Sequence, residues 1–193
     1  KINRISANAE YLLGLIKDYL DLAHVENSEI NSNLTSVSDF IDTVIEQAQD
    51  IVIAQLEEKK MTINRTIEGD VPSIECDPAL IKIVTVNLLS NAIKYGFDNG
   101  AIDVHITATT QCLVVSVKNE GPGFAPEQQN QLFRRFSRLN TPELIKQRGT
   151  GVGLYTSWKI IQIHEGKIWA ESQQGSWAKF SYRIPVNGPD SKV

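Results

Sequence analysis

The chain holds 193 residues, 41% hydrophobic and 22% charged, with a net charge of −4, enough for one mid-sized core with a short appendage. Its acidic and basic residues are interspersed and no run approaches the roughly 18 apolar residues of a membrane span, so neither nucleic acid nor direct membrane contact is expected of this segment. The two cysteines, Cys76 and Cys112, lack CxxC spacing and neighbouring histidines, which argues against disulfides and structural zinc and for a reducing, cytoplasmic setting.

The chain opens on Lys1 rather than Met, and reads as a piece of a longer protein, so that any membrane anchor of the parent would lie upstream. Ile2, Ile5, Ala9, Leu12, Ile16, Tyr19 and Ala23 alternate three and four apart, the spacing of a helix–helix seam. Leu13 and Leu20 widen the stripe to a bundle face, so residues 1–30 are predicted to be one helix of a dimerisation bundle. The competing possibility is a helix docked on its own domain. The polar runs Asn27-Ser28-Glu29 and Asn31-Ser32-Asn33 favour a break before a globular domain at 31–193.

Within that domain, Ser38 to Lys60 is predicted as an amphipathic helix capped by Ser38, and Met61 to Glu68 as a strand. Asp77-Pro78 starts a helix running to about Tyr95. Ala101 to Thr109 and Cys112 to Asn119 form a hairpin with Thr110-Gln111 at its tip. Glu120 to Gly153 is too long for an ordinary connector and is expected to form a lid, with a short helix around Pro126 to Phe136. A helix from Gly153 to His164 and strands at Lys167 to Ser172 and Ala178 to Ile184 complete an α+β two-layer sandwich, a mixed sheet with helices on one face.

Three segments carry chemistry. The helix ending at Tyr95 is apolar almost all round, yet Asn87, Asn91 and Lys94 share one face, offering carbonyl oxygens for a hard cation and an ammonium for phosphate. An isolated pair of this kind would more simply be a solvated stripe. Asn119-Glu120-Gly121-Pro122-Gly123 follows a strand, and Asn119 at the strand end can face a pocket. Gly149-Thr150-Gly151-Val152-Gly153 leads into a helix, whose first amides would meet a phosphate, with Arg148 just before it as a candidate phosphate ligand. Phe133 and Phe136 are expected to anchor the lid helix by its apolar side.

In this order, Asn-x-x-x-Asn-x-x-Lys-Tyr, NEGPG, Phe-x-x-Phe and GTGVG resemble the N, G1, F and G2 boxes of the histidine kinase catalytic domain, whose superfamily includes gyrase, heat-shock-90 and mismatch-repair ATPases. The opening helix resembles the second helix of their dimerisation and phosphoacceptor bundle. The resemblance implies ATP and Mg2+ as cofactors, with Asn91 and Asn87 on the metal and Lys94 and Arg148 positioning phosphates. It implies a nucleotide pocket built from Asn87, Asn91, Lys94, Tyr95, Asn119, Gly121, Gly123, Phe136, Gly149, Thr150, Gly151, Val152, Gly153 and Leu154. It further implies a homodimer through the bundle helix and a response-regulator receiver domain as partner.

The sequence departs from the family in two places. Asn119 stands where the family places an Asp that accepts from the adenine amino group, so weakened rather than lost binding is expected. No segment resembles the H-box: His24, His105 and His164 are expected to be structural or surface residues. The phosphoacceptor histidine therefore lies outside this segment, which is expected to bind ATP without phosphorylating itself. The rivals are a dimerising nucleotide sensor without phosphotransfer, and an ATPase or serine kinase of the same superfamily.

Overall fold

The computed structural model describes residues 34–139 and 150–188, together with Leu13, Gly14, Ile16, Tyr19, Leu20, Ala23 and Val25. In chain order its elements are β1 (Thr35–Val37), a π-helical segment (Ile41–Glu46) running into α1 (Gln47–Lys59), β2 (Thr62–Glu68), β3 (Ile74–Cys76) and α2 (Pro78–Tyr95). Then come β4 (Ala101–Ala108), β5 (Cys112–Glu120), a 3-10 segment (Pro126–Gln131), α3 (Gly153–Ile163), β6 (Lys167–Gln173) and β7 (Trp177–Pro185).

Alternation builds the main sheet. Ile102, Val104 and Ile106 of β4 and Leu113, Val115, Val117 and Asn119 of β5 are buried, every second residue turned to the same core. The five strands run β2-β4-β5-β7-β6. β2 lies parallel to β4, and the other neighbours are antiparallel, so the mixed α+β sandwich is as expected. At the hairpin tip Thr109 Oγ1 accepts from the Gln111 and Cys112 amides, which fixes the register.

The helices owe their positions to caps and core stripes. Asp77 Oδ1 accepts from the Ala79 and Leu80 amides at 3.0 and 3.1 Å, and Pro78 fits the first turn of α2. From there Leu80, Ile81, Val84, Leu88, Leu89 and Ala92 sink into the core. At the other end of α2, Lys59 Nζ donates to the carbonyls of Lys94 and Gly96 at 3.1 and 3.2 Å, a cation placed on the negative pole of the helix. His164 closes α3. Its Nε2 accepts from the Asp77 amide at 3.0 Å and its Nδ1 lies 2.8 Å from the Ile160 carbonyl, which makes Nδ1 the protonated nitrogen. The imidazole thus ties the end of α3 to the start of α2.

Two details differ from expectation. At the start of the first helix it is the Asp39 carboxylate, not the Ser38 hydroxyl, that accepts from a backbone amide, that of Asp42 at 3.1 Å. The antiparallel pair β1–β3 was not foreseen, because three-residue strands are too short for alternation to register.

Of the opening helix, Val25 is buried within the catalytic core, whereas Leu13, Ile16, Tyr19 and Leu20 are exposed. The rest of the predicted seam, the polar break at Asn27–Asn33 and His24 lie outside the described residues.

Candidate functional site

An open cleft lies between α2, the start of α3, and the ends of β5 and β7. It encloses about 1060 Å³ counting its solvent-filled mouth. One end is polar, lined by Asn87, Asn91, Lys94, Thr150, Gly151 and Gly153. The other is apolar, lined by Phe124, Leu132, Leu139, Leu154, Ala178 and Phe180, with Asn119 set among them.

The polar end is organised by Asn87. Its Nδ2 donates to the Gly153 carbonyl at 2.7 Å and to Ser157 Oγ at 3.2 Å, pinning the first turn of α3 against α2. Gly153 permits this approach: a Cβ there would lie 2.5 Å from Asn87 Oδ1. Thr150 Oγ1 accepts from the Val152 amide at 3.2 Å and shapes the loop as it enters α3, whose first amides point out of the helix end. Lys94 Nζ rests 4.8 Å from the centre of the Tyr95 ring. At the apolar end Asn119 is almost fully buried, and its Nδ2 donates to the Glu120 carbonyl at 3.1 Å.

The cleft thus collects Asn87, Asn91, Lys94, Tyr95, Asn119, Gly123, Thr150, Gly151, Gly153 and Leu154 from three separate sequence segments. Gly121 and Val152 stand behind the lining; the Gly121 amide is bonded to the Ser176 carbonyl at 3.0 Å. Arg148 and Gly149 lie outside the described residues. Phe133 packs into the core as expected, but Phe136 does not: its ring is 67% exposed and beside the Arg135 guanidinium. The cause is backbone direction. Phe136 turns through φ 59°, and Gly151 is packed so tightly on it that a Cβ there would meet the Phe136 carbonyl carbon at 2.9 Å.

The sequence reading missed the apolar wall of Phe124, Leu132, Ala178 and Phe180. Cross-strand register supplies the signal, since Asn119 pairs with Ala178 and Val117 with Phe180 on one face of the sheet. It also missed Lys59, whose role depends on a contact across 35 residues.

Among the described residues outside the cleft, the titratable groups have structural settings. Burial pushes the Cys76 thiol up to about 12 and so keeps it protonated. Burial also lowers the His164 pKa, against weaker opposing effects of the Ile160 carbonyl and Asp77, so this imidazole is a neutral structural link. His105 is paired with Glu68 at 3.3 Å on the sheet surface. Among the described residues no three His, Cys, Asp or Glu side chains are grouped to hold a metal, and no helix is long and apolar enough to cross a membrane.

A cleft with a carboxamide and lysine helix at one end, a glycine loop opening a helix beside it, and an apolar slot at the other defines a nucleotide-binding domain of the two-layer ATPase type. The family of histidine kinase-, DNA gyrase B- and HSP90-like ATPases matches residues 76–188, and the chain belongs to that family. It is 35% identical over 175 residues to the adaptive-response sensory kinase SasA of Synechocystis sp. (strain ATCC 27184 / PCC 6803 / Kazusa), covering 89% of this chain and 44% of that protein. The chain therefore spans less than half the length of this curated relative. Among solved structures, the catalytic domain of histidine kinase ThkA is 26% identical with a TM-score of 0.69, over 80% of this chain and 99% of that one. ThkA in complex with the response regulator TrrA shares the fold at a TM-score of 0.74 and 24% identity, over 99% of this chain and 52% of that chain.

Proposed function

We propose that this segment is the catalytic part of a two-component sensor kinase, which holds Mg-ATP and delivers its γ-phosphate to a histidine located outside residues 1–193. The single observation that carries this reading is the polar end of the cleft, where Asn87, Asn91 and Lys94 of α2 meet the Thr150–Gly153 turn at the start of α3. Kinship with sensory kinases favours phosphotransfer onto histidine over the superfamily's other activities.

The residues divide the work. Lys94 offsets phosphate charge, and the first amides of α3 with the Thr150–Gly153 backbone receive phosphate oxygens. The apolar slot takes the base, whose amino group donates to Asn119. Arg148 and Gly149 would complete the phosphate contacts from the lid. Carboxamide oxygens are hard donors that suit magnesium, and Asn91 would hold it together with Asn87, which keeps its nitrogen on Gly153 and has only its oxygen to offer. Bound there with the nucleotide, the cation supplies neutralisation of β- and γ-phosphate charge. The protein's own contribution to transfer is to orient the terminal phosphoryl group and exclude water while the acceptor imidazole is brought in line.

The exposed face of Leu13, Ile16, Tyr19 and Leu20 supports residues 1–30 as one helix of a dimerisation bundle, with the catalytic domain at 31–193. A second subunit would cover that stripe, and a response-regulator receiver domain would take the phosphate onward, as the ThkA–TrrA complex suggests by kinship. The test is incubation with γ-labelled ATP. Base-stable, acid-labile label is expected only when an upstream segment bearing a histidine is supplied; label on His24 of this chain alone would overturn the assignment.

A further inference from the structure

Two helix poles of opposite sign meet at the polar end of the cleft. The first amides of α3 bring a positive pole to it through the Thr150–Gly153 turn. α2 runs past Asn91 and ends at Tyr95, so its negative pole lies only about 6 Å along the axis from the residue proposed to hold the metal. Lys94 and Tyr95, in that last turn, line the same cleft. Gly96, which follows, is extended at φ −72° and ψ 159°, so no left-handed turn folds back over the last carbonyls. Its amide closes on the Ala92 carbonyl at 2.8 Å. The Lys94 and Gly96 carbonyls are met instead by Lys59 Nζ, which reaches them at 3.1 and 3.2 Å from the end of α1. Lys59 does not itself line the cleft. Its side chain is 25% exposed, and its other neighbour, Asp98 at 3.5 Å, is 73% exposed and offsets little of its charge.

We propose that Lys59 is a positioning residue of the nucleotide site, acting on the phosphates through the end of α2. It offsets the negative pole that would otherwise repel a polyphosphate, and it holds the backbone that carries Lys94. The inference rests on the nucleotide reading above and adds a residue to its phosphate end. The charge repelled belongs to the ligand's phosphates, so the effect grows with their number, larger for ATP than for ADP and absent for adenosine. One charge at a partly buried helix terminus is worth roughly 2- to 30-fold in affinity. Salt weakens it, since the screening length contracts from about 10 Å at 0.1 M to about 3 Å at 1 M. A lysine that only braced the fold would act otherwise, because a loosened α2 weakens nucleoside and nucleotide alike.

The experiment is equilibrium titration of the chain with ATP, ADP and adenosine, each with magnesium, on the parent, Lys59→Met, Lys59→Gln and Lys59→Arg. Methionine keeps an unbranched stem without a donor, glutamine keeps a neutral donor, and arginine keeps the charge. Lys59→Met and Lys59→Gln should weaken ATP by roughly 2- to 30-fold, ADP by less and adenosine not at all. Lys59→Arg should stay close to the parent, and the gap between parent and neutral variants should close in about 1 M KCl. Equal losses for the three ligands, or an ATP affinity unchanged in both neutral variants, would overturn the inference and leave the nucleotide site standing. Should Lys59→Met fail to fold, the ratio of ATP to adenosine affinity in Lys59→Gln against Lys59→Arg decides by the same criteria. A parent that binds adenosine as tightly as ATP, or binds none of the three, would overturn the nucleotide reading and the inference with it.

Discussion

Gly153→Ala is the substitution whose cost the structure sets most directly. An added Cβ would stand 2.5 Å from Asn87 Oδ1, 2.8 Å from Nδ2 and 3.0 Å from Cγ, so Asn87 has to move. Its bonds to the Gly153 carbonyl and Ser157 Oγ, at 2.7 and 3.2 Å, are then lost. Two neutral hydrogen bonds at about 1 kcal/mol each put the loss near 2 kcal/mol. Against this, alanine's better helix propensity returns at most about 1 kcal/mol. The net expectation is a destabilisation of about 1–2 kcal/mol, seen in urea unfolding as a lower midpoint with an unchanged slope. In an Asn87→Ala background the obstacle is gone, and the same glycine substitution should be neutral or stabilise by up to about 1 kcal/mol. The double-mutant cycle should therefore show a coupling of about 2 kcal/mol. Equal costs in both backgrounds would refute the claim that Asn87 and Gly153 form one unit.

Lys59→Met should cost about 1–2 kcal/mol in thermal or urea unfolding, because it uncaps the Lys94 and Gly96 carbonyls at the end of the nucleotide helix. Its 3.5 Å pairing with the exposed Asp98 adds little, so Asp98→Asn should be almost silent. His164 fixes a pH dependence. Its folded pKa lies below the ordinary value of 6.5, so below that pH the unfolded chain binds a proton that the folded chain refuses. Stability should be flat above about pH 6.5 and fall on acidification toward the folded pKa, with a slope from this residue of at most about 1.4 kcal/mol per pH unit. His164→Gln should lose stability at neutral pH and lose this part of the slope; an unchanged profile would contradict the neutral assignment.

Much of the fold was legible because the longer elements repeat their signal. The eighteen residues of α2 carry a cap, a proline and a continuous apolar stripe, and the β4–β5 hairpin alternates over both arms. What escaped was short or non-local. β1 and β3 have three residues each and exist only through each other. Phe136 has the same apolar side chain as Phe133, but a left-handed backbone packed against Gly151 turns it outward, and no periodicity encodes that. The site was readable at its polar end, where asparagines in an apolar helix and glycines before a helix are locally anomalous. Its apolar wall was not, since Ala178 and Phe180 resemble ordinary core residues until the register of β7 on β5 sets them beside Asn119.

The central claim is that this cleft binds Mg-ATP through the polar face of α2, and titration calorimetry on the parent and on Asn91→Ala tests it. Asn91 lines the cleft without serving the core, so the variant should fold normally. The parent should bind ATP in a magnesium-dependent manner, weakened at least about tenfold in the variant, where one hard oxygen donor is gone. Magnesium-dependent affinity undiminished in Asn91→Ala would contradict it.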